Sequence, residues 1–193
     1  GSEFSQLALG EAELRIGNRA SARAAWRRAV ALDLRFASAW ARLAILARQD
    51  GGAESERSVL QEARNAGTAS VALLVRLAVL EKAEEADRIF REATELLPEE
   101  PAPWLEWGRS LEGRKKTEEA EARYREAARR APADPRPEIA LGRLLLRAGM
   151  PEMARPHLRR AADLGRDTVV GAEAERLLQG LAEGGEGGDE SGP

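Results

Sequence analysis

The chain has 193 residues, of which 43% are hydrophobic, 33% are charged and 4% are aromatic, and its formal net charge is −3. This length fits one domain or one array of repeats, and the abundance of Ala, Leu, Glu and Arg favours helices. The absence of cysteine excludes disulfides and thiolate metal sites, and no apolar run approaches the roughly 18 residues that a membrane-spanning helix needs.

A repeat begins after residues 1–4, whose sequence, Gly-Ser-Glu-Phe, is typical of a vector-derived scar. A large residue precedes an alanine by three positions at five places, and the steps between successive places are 34, 30, 34 and 34 residues. The large residues are Trp26, Leu60, Phe90, Tyr124 and Leu158. The residue four positions before each large one is alanine in four of the five repeats. These residues are Ala22, Glu56, Ala86, Ala120 and Ala154. Only Glu56 breaks this row.

The spacing of these residues has a simple physical meaning. Apolar residues three and four positions apart form one face of a helix. Small residues allow two helices to approach closely, while the large residue fills the remaining gap. Glycine and proline at the ends of the segments, such as Gly17, Gly149 and Pro132, favour helix termination. Each repeat is therefore predicted to be a pair of antiparallel helices that needs its neighbours to complete a core.

This pattern resembles the tetratricopeptide repeat family, and the fourth copy, with Trp104, Gly108, Tyr124 and Pro132, matches its motif best. The half-tetratricopeptide repeat of RNA-processing factors is a weaker match. The resemblance implies an all-α, right-handed superhelical solenoid of antiparallel helix hairpins. It covers residues 5–168 and places five units at 3–36, 37–70, 71–100, 101–134 and 135–168.

The third predicted unit is four residues shorter than the others, and the missing residues fall between Ala78 and Ala86. Four residues are about one helical turn, so the apolar faces stay nearly in phase if one turn is lost. One interpretation is a shortened hairpin with a tight turn near Lys82. The other is a continuous helix over about 70–97, because the intervening residues include no Gly, Pro, Asn or Ser.

After the fifth unit, an apolar stripe predicts a capping helix over 169–183, with residues such as Val170, Leu177 and Leu181 on one face. Residues 184–193 are rich in Gly, Asp and Glu, have little to bury and are predicted to be disordered. Without the four acids that follow Ala182 the body is close to neutral, which argues against nucleic acid as a partner.

Catalytic and cofactor chemistry finds little support in the sequence. His157 is the only histidine; without cysteine or a second histidine it cannot form a zinc site of the usual kind, and we expect it to be a surface residue. The glycines of the tail lack the lysine and the following helix of a phosphate-binding loop. We therefore predict no enzyme activity, no cofactor, no metal and no membrane segment.

The family resemblance also implies a concave groove lined by the first helix of each unit. Carrying the motif positions over by phase gives the small residues Ala41 and Ala72 and the following predicted partner-binding set: Ile45, Arg48, Gln49, Val75, Val79, Leu105, Arg109, Glu112, Ile139, Arg143, Leu146 and Arg147. This mixture of aliphatic residues and arginines predicts a partner protein or peptide with apolar and acidic residues, because arginine binds carboxylates through paired hydrogen bonds.

The two-carboxylate clamp by which co-chaperones of this family hold chaperone C-termini needs lysine and asparagine at set positions, and no unit has them. A chaperone C-terminus is thus not the expected partner. The sequence leaves open a self-assembling structural protein, with 169–181 as the edge, and a regulatory module of a larger enzyme. RNA binding is the weakest hypothesis. No signal identifies a compartment, and the cytoplasm is the default expectation.

Overall fold

The computed structural model describes residues 1–186, and side chains through residue 183. Throughout this part of the chain the only regular secondary structure is helix. The chain divides into two compact units, Gly1–Pro98 and Glu99–Pro193, which we describe separately.

The first compact unit contains α1 (Glu3–Arg15), α2 (Arg19–Leu32), α3 (Ala37–Asn65), α4 (Val71–Leu80) and α5 (Ala83–Leu96). The helical residues of α3 are interrupted at Gly52, whose φ of 72° and ψ of −160° turn the chain. Because L side chains rarely adopt such a positive φ, glycine suits this turn. The two halves of α3 therefore form a hairpin, like α1 with α2 and α4 with α5.

The short third hairpin turns at Glu81 and Lys82, which have extended backbone conformations, with ψ of 162° and 158°. The structure therefore has the shortened hairpin and not the continuous helix. At the beginning of the chain, α1 includes residues 3 and 4. The Ser2 hydroxyl accepts a hydrogen bond from the Ser5 N–H at 3.3 Å, so two residues of the predicted scar fold as part of the first helix.

The second compact unit contains α6 (Pro101–Gly113), α7 (Thr117–Arg130), α8 (Pro135–Arg147), α9 (Pro151–Leu164) and α10 (Val169–Glu186). Proline at the first position of α6, α8 and α9 suits a helix start, since the missing N–H has no partner there. α10 continues through Glu186, so the first three residues of the predicted disordered segment 184–193 are helical. Residues 187–193 lie outside the described residues.

The repeat residues form the contacts within the hairpins. All five large members, including Trp26 and Tyr124, and all five alanines that follow them are buried. A Cβ added to Gly108 on α6 would lie 2.5 Å from Cδ1 of Tyr124 on α7, so glycine is required where this ring crosses the neighbouring helix. In the second unit, Leu158 and Ala161 join a cluster against which α10 packs Leu177, Leu178 and Leu181.

Candidate functional site

The strongest candidate site lies in the first compact unit, between the first half of α3 and α4. A cavity of ≈ 570 Å³ opens there. Its apolar lining consists of Ala41, Ala44, Ile45, Leu60, Ala72 and Leu73. Its polar lining consists of Arg48, Gln49, Glu56 and Arg76. We call this cavity, defined by these ten residues, the α3–α4 groove. Five of the residues predicted for the groove thus line one cavity: Ala41, Ile45, Arg48, Gln49 and Ala72.

Small residues open this groove because Ala41 and Ala44 on α3, and Ala72 on α4, leave space that larger side chains would fill. Leu60 closes the floor from the second half of α3 and is 1% exposed. Ile45 is 49% exposed and presents an unpartnered aliphatic side chain at the wall. The arrangement can hold an apolar side chain of another molecule, since burial of such a side chain is favourable.

A buried carboxylate lies at the base of the groove. Glu56 takes the position that alanine occupies in the other four repeats, and its side chain is only 4% exposed. Its two oxygens accept hydrogen bonds from Nε and Nη2 of Arg76, each at 2.6 Å. Such paired, charge-assisted bonds compensate for the desolvation of a carboxylate. The hydrogen bond to Glu56 raises the pKa of Arg76, and burial partly opposes that rise.

Arg48 completes the charged part of the groove. Its Nε lies 3.8 Å from Oε2 of Glu56, which is an ion-pair distance but too long for a hydrogen bond. Its side chain is 62% exposed. Nearby, Gln49 accepts a hydrogen bond from Nη2 of Arg19 at 3.0 Å, and Arg19 also pairs with Asp50. This network ties the end of the groove to α2.

The predicted charged residues of the second compact unit are all engaged in ion pairs. Arg109 contacts Glu106 one turn earlier on α6, at 2.5 Å. Arg147 on α8 pairs with Glu112 on α6. Arg143 lies 3.4 Å from Glu173 on α10. In this unit, therefore, every predicted groove arginine has its own acidic partner.

Glu112 also accepts a hydrogen bond of 2.6 Å from the hydroxyl of Tyr124. Burial raises the pKa of this tyrosine to about 12, although Arg109 and Arg143 lower it in part. The phenol is therefore neutral at ordinary pH and acts as a hydrogen-bond donor. Glu112 was predicted as a partner-binding residue. In the structure it instead links Arg147 on α8 to Tyr124, in the core of the α6–α7 hairpin.

The predicted aliphatic residues differ from one another in their exposure to solvent. Leu105 and Ile139 are 3% and 6% exposed, so these two belong to the core and are not available to a partner. Leu146 is half-buried and packs against the cluster that α10 covers. Val75 is half-buried on α4, whereas Val79 is 47% exposed. The motif phase placed all of these on one helix face, but neighbouring helices cover part of that face.

Sequence reasoning missed the role of Glu56 and Arg76. Glu56 stood out as the one break in the row of small residues, which was the available signal. Its partner, 20 residues away, has no repeat position that would have identified it. Ala44, Leu60 and Leu73 were also absent from the predicted set.

His157 is not the simple surface residue that the sequence predicts. Its side chain is 27% exposed, and Nδ1 lies 2.8 Å from Oε2 of Glu138, a buried carboxylate. Arg160 approaches the other oxygen of Glu138 at 3.1 Å. In residues 1–183, whose side chains the structure describes, no group of three or more His, Asp or Glu side chains could hold a metal ion. Over the same range, no helix is both long and apolar enough to cross a membrane.

Comparison with known proteins identifies the fold. No protein-family model matches the sequence, and no curated protein matches it either. Solved structures do match. YrrB, described as a tetratricopeptide (TPR) protein with an unusual peptide-binding site, has a TM-score of 0.66 at 17% identity, over 89% of this chain and 90% of its own.

Two further structures give the same result. PilF of Pseudomonas aeruginosa has a TM-score of 0.71 at 22% identity, over 95% of this chain and 84% of its own. TTC0263, a thermophilic TPR protein of Thermus thermophilus, has a TM-score of 0.62 at 18% identity, over 92% of this chain and 100% of its own. The chain therefore has the all-α fold of TPR proteins, an array of antiparallel helix hairpins, which confirms the fold predicted from the sequence.

Proposed function

We propose that this protein is an interaction scaffold that binds a segment of a partner protein in the α3–α4 groove. The observation that carries the proposal is the ≈ 570 Å³ cavity, which has a mainly aliphatic lining and lies at predicted partner-binding positions. Grooves of this kind, apolar with a few positioned polar groups, are typical ligand sites. YrrB, which shares the fold, is described as having a peptide-binding site, which supports a peptide as the occupant.

The chemistry of the groove indicates the character of the segment. Ile45 and the alanines of the wall suit an apolar side chain, while the exposed Arg48 suits an acidic one. We therefore propose a segment that carries both apolar and acidic residues. Affinity would come from the buried apolar side chain, and Arg48 would set orientation and specificity.

Binding accounts for this groove better than catalysis does. The residues that line it include no histidine, serine, threonine or tyrosine, so it lacks the usual nucleophile and general base. Both oxygens of its one carboxylate, Glu56, already accept hydrogen bonds from Arg76. We propose no enzymatic reaction for this protein.

Self-assembly through the last helix receives less support. The apolar residues Leu177, Leu178 and Leu181 of α10 already pack against the α8–α9 core. Val169 is 82% exposed, but it is a single residue at the start of the helix. An isolated exposed side chain does not make an association surface.

The test of the proposal compares Ile45→Gln with Met153→Gln. Both side chains are about half exposed, at 49% and 51%, but Met153 lies on α9, outside the groove. Each protein is probed with an array of short synthetic peptides that combine leucine with acidic residues. We expect Ile45→Gln to raise the dissociation constant of the bound peptides about tenfold, because a buried aliphatic contact is lost.

Met153→Gln serves as the matched control and should bind as the wild type does. Thermal unfolding of both variants establishes that they remain folded. Equal binding by the two variants would remove the α3–α4 groove as the binding site.

A further inference from the structure

The charges that line the α3–α4 groove do not balance. Two guanidinium groups, of Arg48 and Arg76, share a single carboxylate, that of Glu56. In the second compact unit, by contrast, Arg109, Arg143 and Arg147 have one acidic partner each. The groove therefore carries one positive charge in excess beside an aliphatic wall.

The geometry shows which arginine is available. Both oxygens of Glu56 accept hydrogen bonds of 2.6 Å from Arg76, so this pair is complete. Arg48 approaches the same carboxylate only to 3.8 Å and remains 62% exposed. The N–H groups of Arg48 can thus receive a second carboxylate without breaking a hydrogen bond to Glu56.

Burying the Glu56 carboxylate costs desolvation free energy, and the fold does not require a carboxylate at this position. Alanine at the equivalent position serves in the other repeats, as Ala86 and Ala120 show, and is fully buried there. A buried carboxylate must be desolvated, and such pairs are weak evidence for stability. The result of its presence is that Arg76 is held and neutralised by a bidentate contact, so that the excess positive charge of the groove lies on Arg48.

Resting on the proposed function, we infer that the α3–α4 groove selects a glutamate or aspartate side chain next to an apolar residue of the bound segment. Arg48 binds this carboxylate, while Glu56 holds Arg76 by two hydrogen bonds and neutralises it. On α4, Leu73 lines the groove three positions before Arg76, and the exposed Val79 lies three positions after it. A segment that continues past its acidic residue can contact both aliphatic side chains. A side-chain carboxylate fits this arrangement better than a chain terminus.

The probes for this inference are capped peptides, acetylated and amidated, in which one leucine and one glutamate vary in spacing. Each has a twin with glutamine in place of glutamate, and a second twin with alanine in place of leucine. A third arm carries glutamine and a free C-terminal carboxylate. Binding is measured by fluorescence anisotropy for the full chain and for Arg48→Gln, Glu56→Gln and Arg42→Gln.

We expect the wild type to bind the best glutamate peptide about tenfold more tightly than its glutamine twin, which corresponds to one charge-assisted contact. This ratio should fall close to one in Arg48→Gln. It should rise in Glu56→Gln, because loss of the Glu56 charge leaves both Arg48 and Arg76 without an acidic partner. Arg42→Gln is the matched control: it removes one positive charge from the same helix, where Arg42 pairs with Glu11, and should keep the ratio.

The outcomes separate the two proposals. If glutamate and glutamine peptides bind equally but leucine is still required, the carboxylate inference is wrong, as is the acidic character proposed for the segment, while binding of an apolar segment in the α3–α4 groove stands. If no peptide binds, both are wrong. Equal binding of the free C-terminal peptide would overturn the choice of a side-chain carboxylate. A Glu56→Gln protein that is less stable but keeps the wild-type ratio would show that Glu56 has only a structural role.

Discussion

Glu56 and Arg76 are joined by two hydrogen bonds of 2.6 Å, from α4 to the second half of α3. This pair links two successive hairpins of the first compact unit at the base of the α3–α4 groove. Because the Glu56 side chain is 4% exposed while that of Arg76 is 34% exposed, the two partners respond differently to loss of the other. Arg76 can regain water, whereas Glu56 cannot.

The first prediction follows from this asymmetry. Arg76→Ala leaves the buried Glu56 carboxylate without its two hydrogen bonds, and it should lower the free energy of unfolding by about 3 kcal/mol. The control is Glu54→Ala, at a side chain that is 79% exposed and pairs only with Arg57 one turn away. It should cost less than about 0.5 kcal/mol. Urea denaturation measures both values, and similar losses would mean that the buried pair contributes little.

The second prediction concerns the close contact within the fourth hairpin. Gly108→Ala places a methyl group against the ring of Tyr124, in a site with no spare space, and should destabilise the protein by about 2 kcal/mol. Gly113→Ala, on the same helix, meets no atom within 4 Å and should stabilise it by about 0.5 kcal/mol through helix propensity. Thermal unfolding should show shifts of opposite sign; shifts of the same sign would contradict the packing.

The third prediction concerns the turn between α6 and α7. Lys115 has a φ of 61°, in the place where the first and fifth hairpins have Gly17 and Gly149, with φ of 81° and 73°. A lysine pays a steric cost in this left-handed conformation that glycine does not. Lys115→Gly should therefore stabilise the protein by about 1 kcal/mol, and Gly149→Ala should destabilise it by a similar amount.

Chemical denaturation of these two variants tests the turn. A loss of stability in Lys115→Gly would indicate that the lysine side chain makes a contact worth more than the backbone strain.

The fourth prediction uses the only tyrosine in the chain. Burial raises the pKa of Tyr124 to about 12 from its ordinary value of 10.0, so the folded protein holds this proton more tightly than the unfolded chain does. Its contribution to stability is present below the unfolded pKa and declines as pH rises towards the folded one. Because no other residue forms phenolate, near-ultraviolet absorbance reports this group alone.

The titration midpoint should lie near 12 in the native protein and near 10 in concentrated urea. A native midpoint close to the urea value would show that the ring is open to solvent. Loss of helical circular dichroism before the phenolate signal appears would show that unfolding, and not local exposure, releases the proton.

The sequence by itself was sufficient for the fold and for the contacts within hairpins. The phase of Trp26, Phe90 and Tyr124 against their alanines predicted buried, close-packed helix pairs. Such contacts join residues of one short segment, and they recur with a fixed period. A periodic pattern therefore contains the information that these contacts require.

Only the tertiary structure decided which residues of the predicted groove are available to a partner. Leu105 and Ile139 are on the helix face that the motif indicates, but they are buried. The predicted arginines Arg109, Arg143 and Arg147 are each neutralised by an acidic partner. Glu56 appeared in the sequence only as an exception, and its meaning depended on Arg76 in the next hairpin. Exposure and pairing are set by distances between helices, which repeat spacing does not determine.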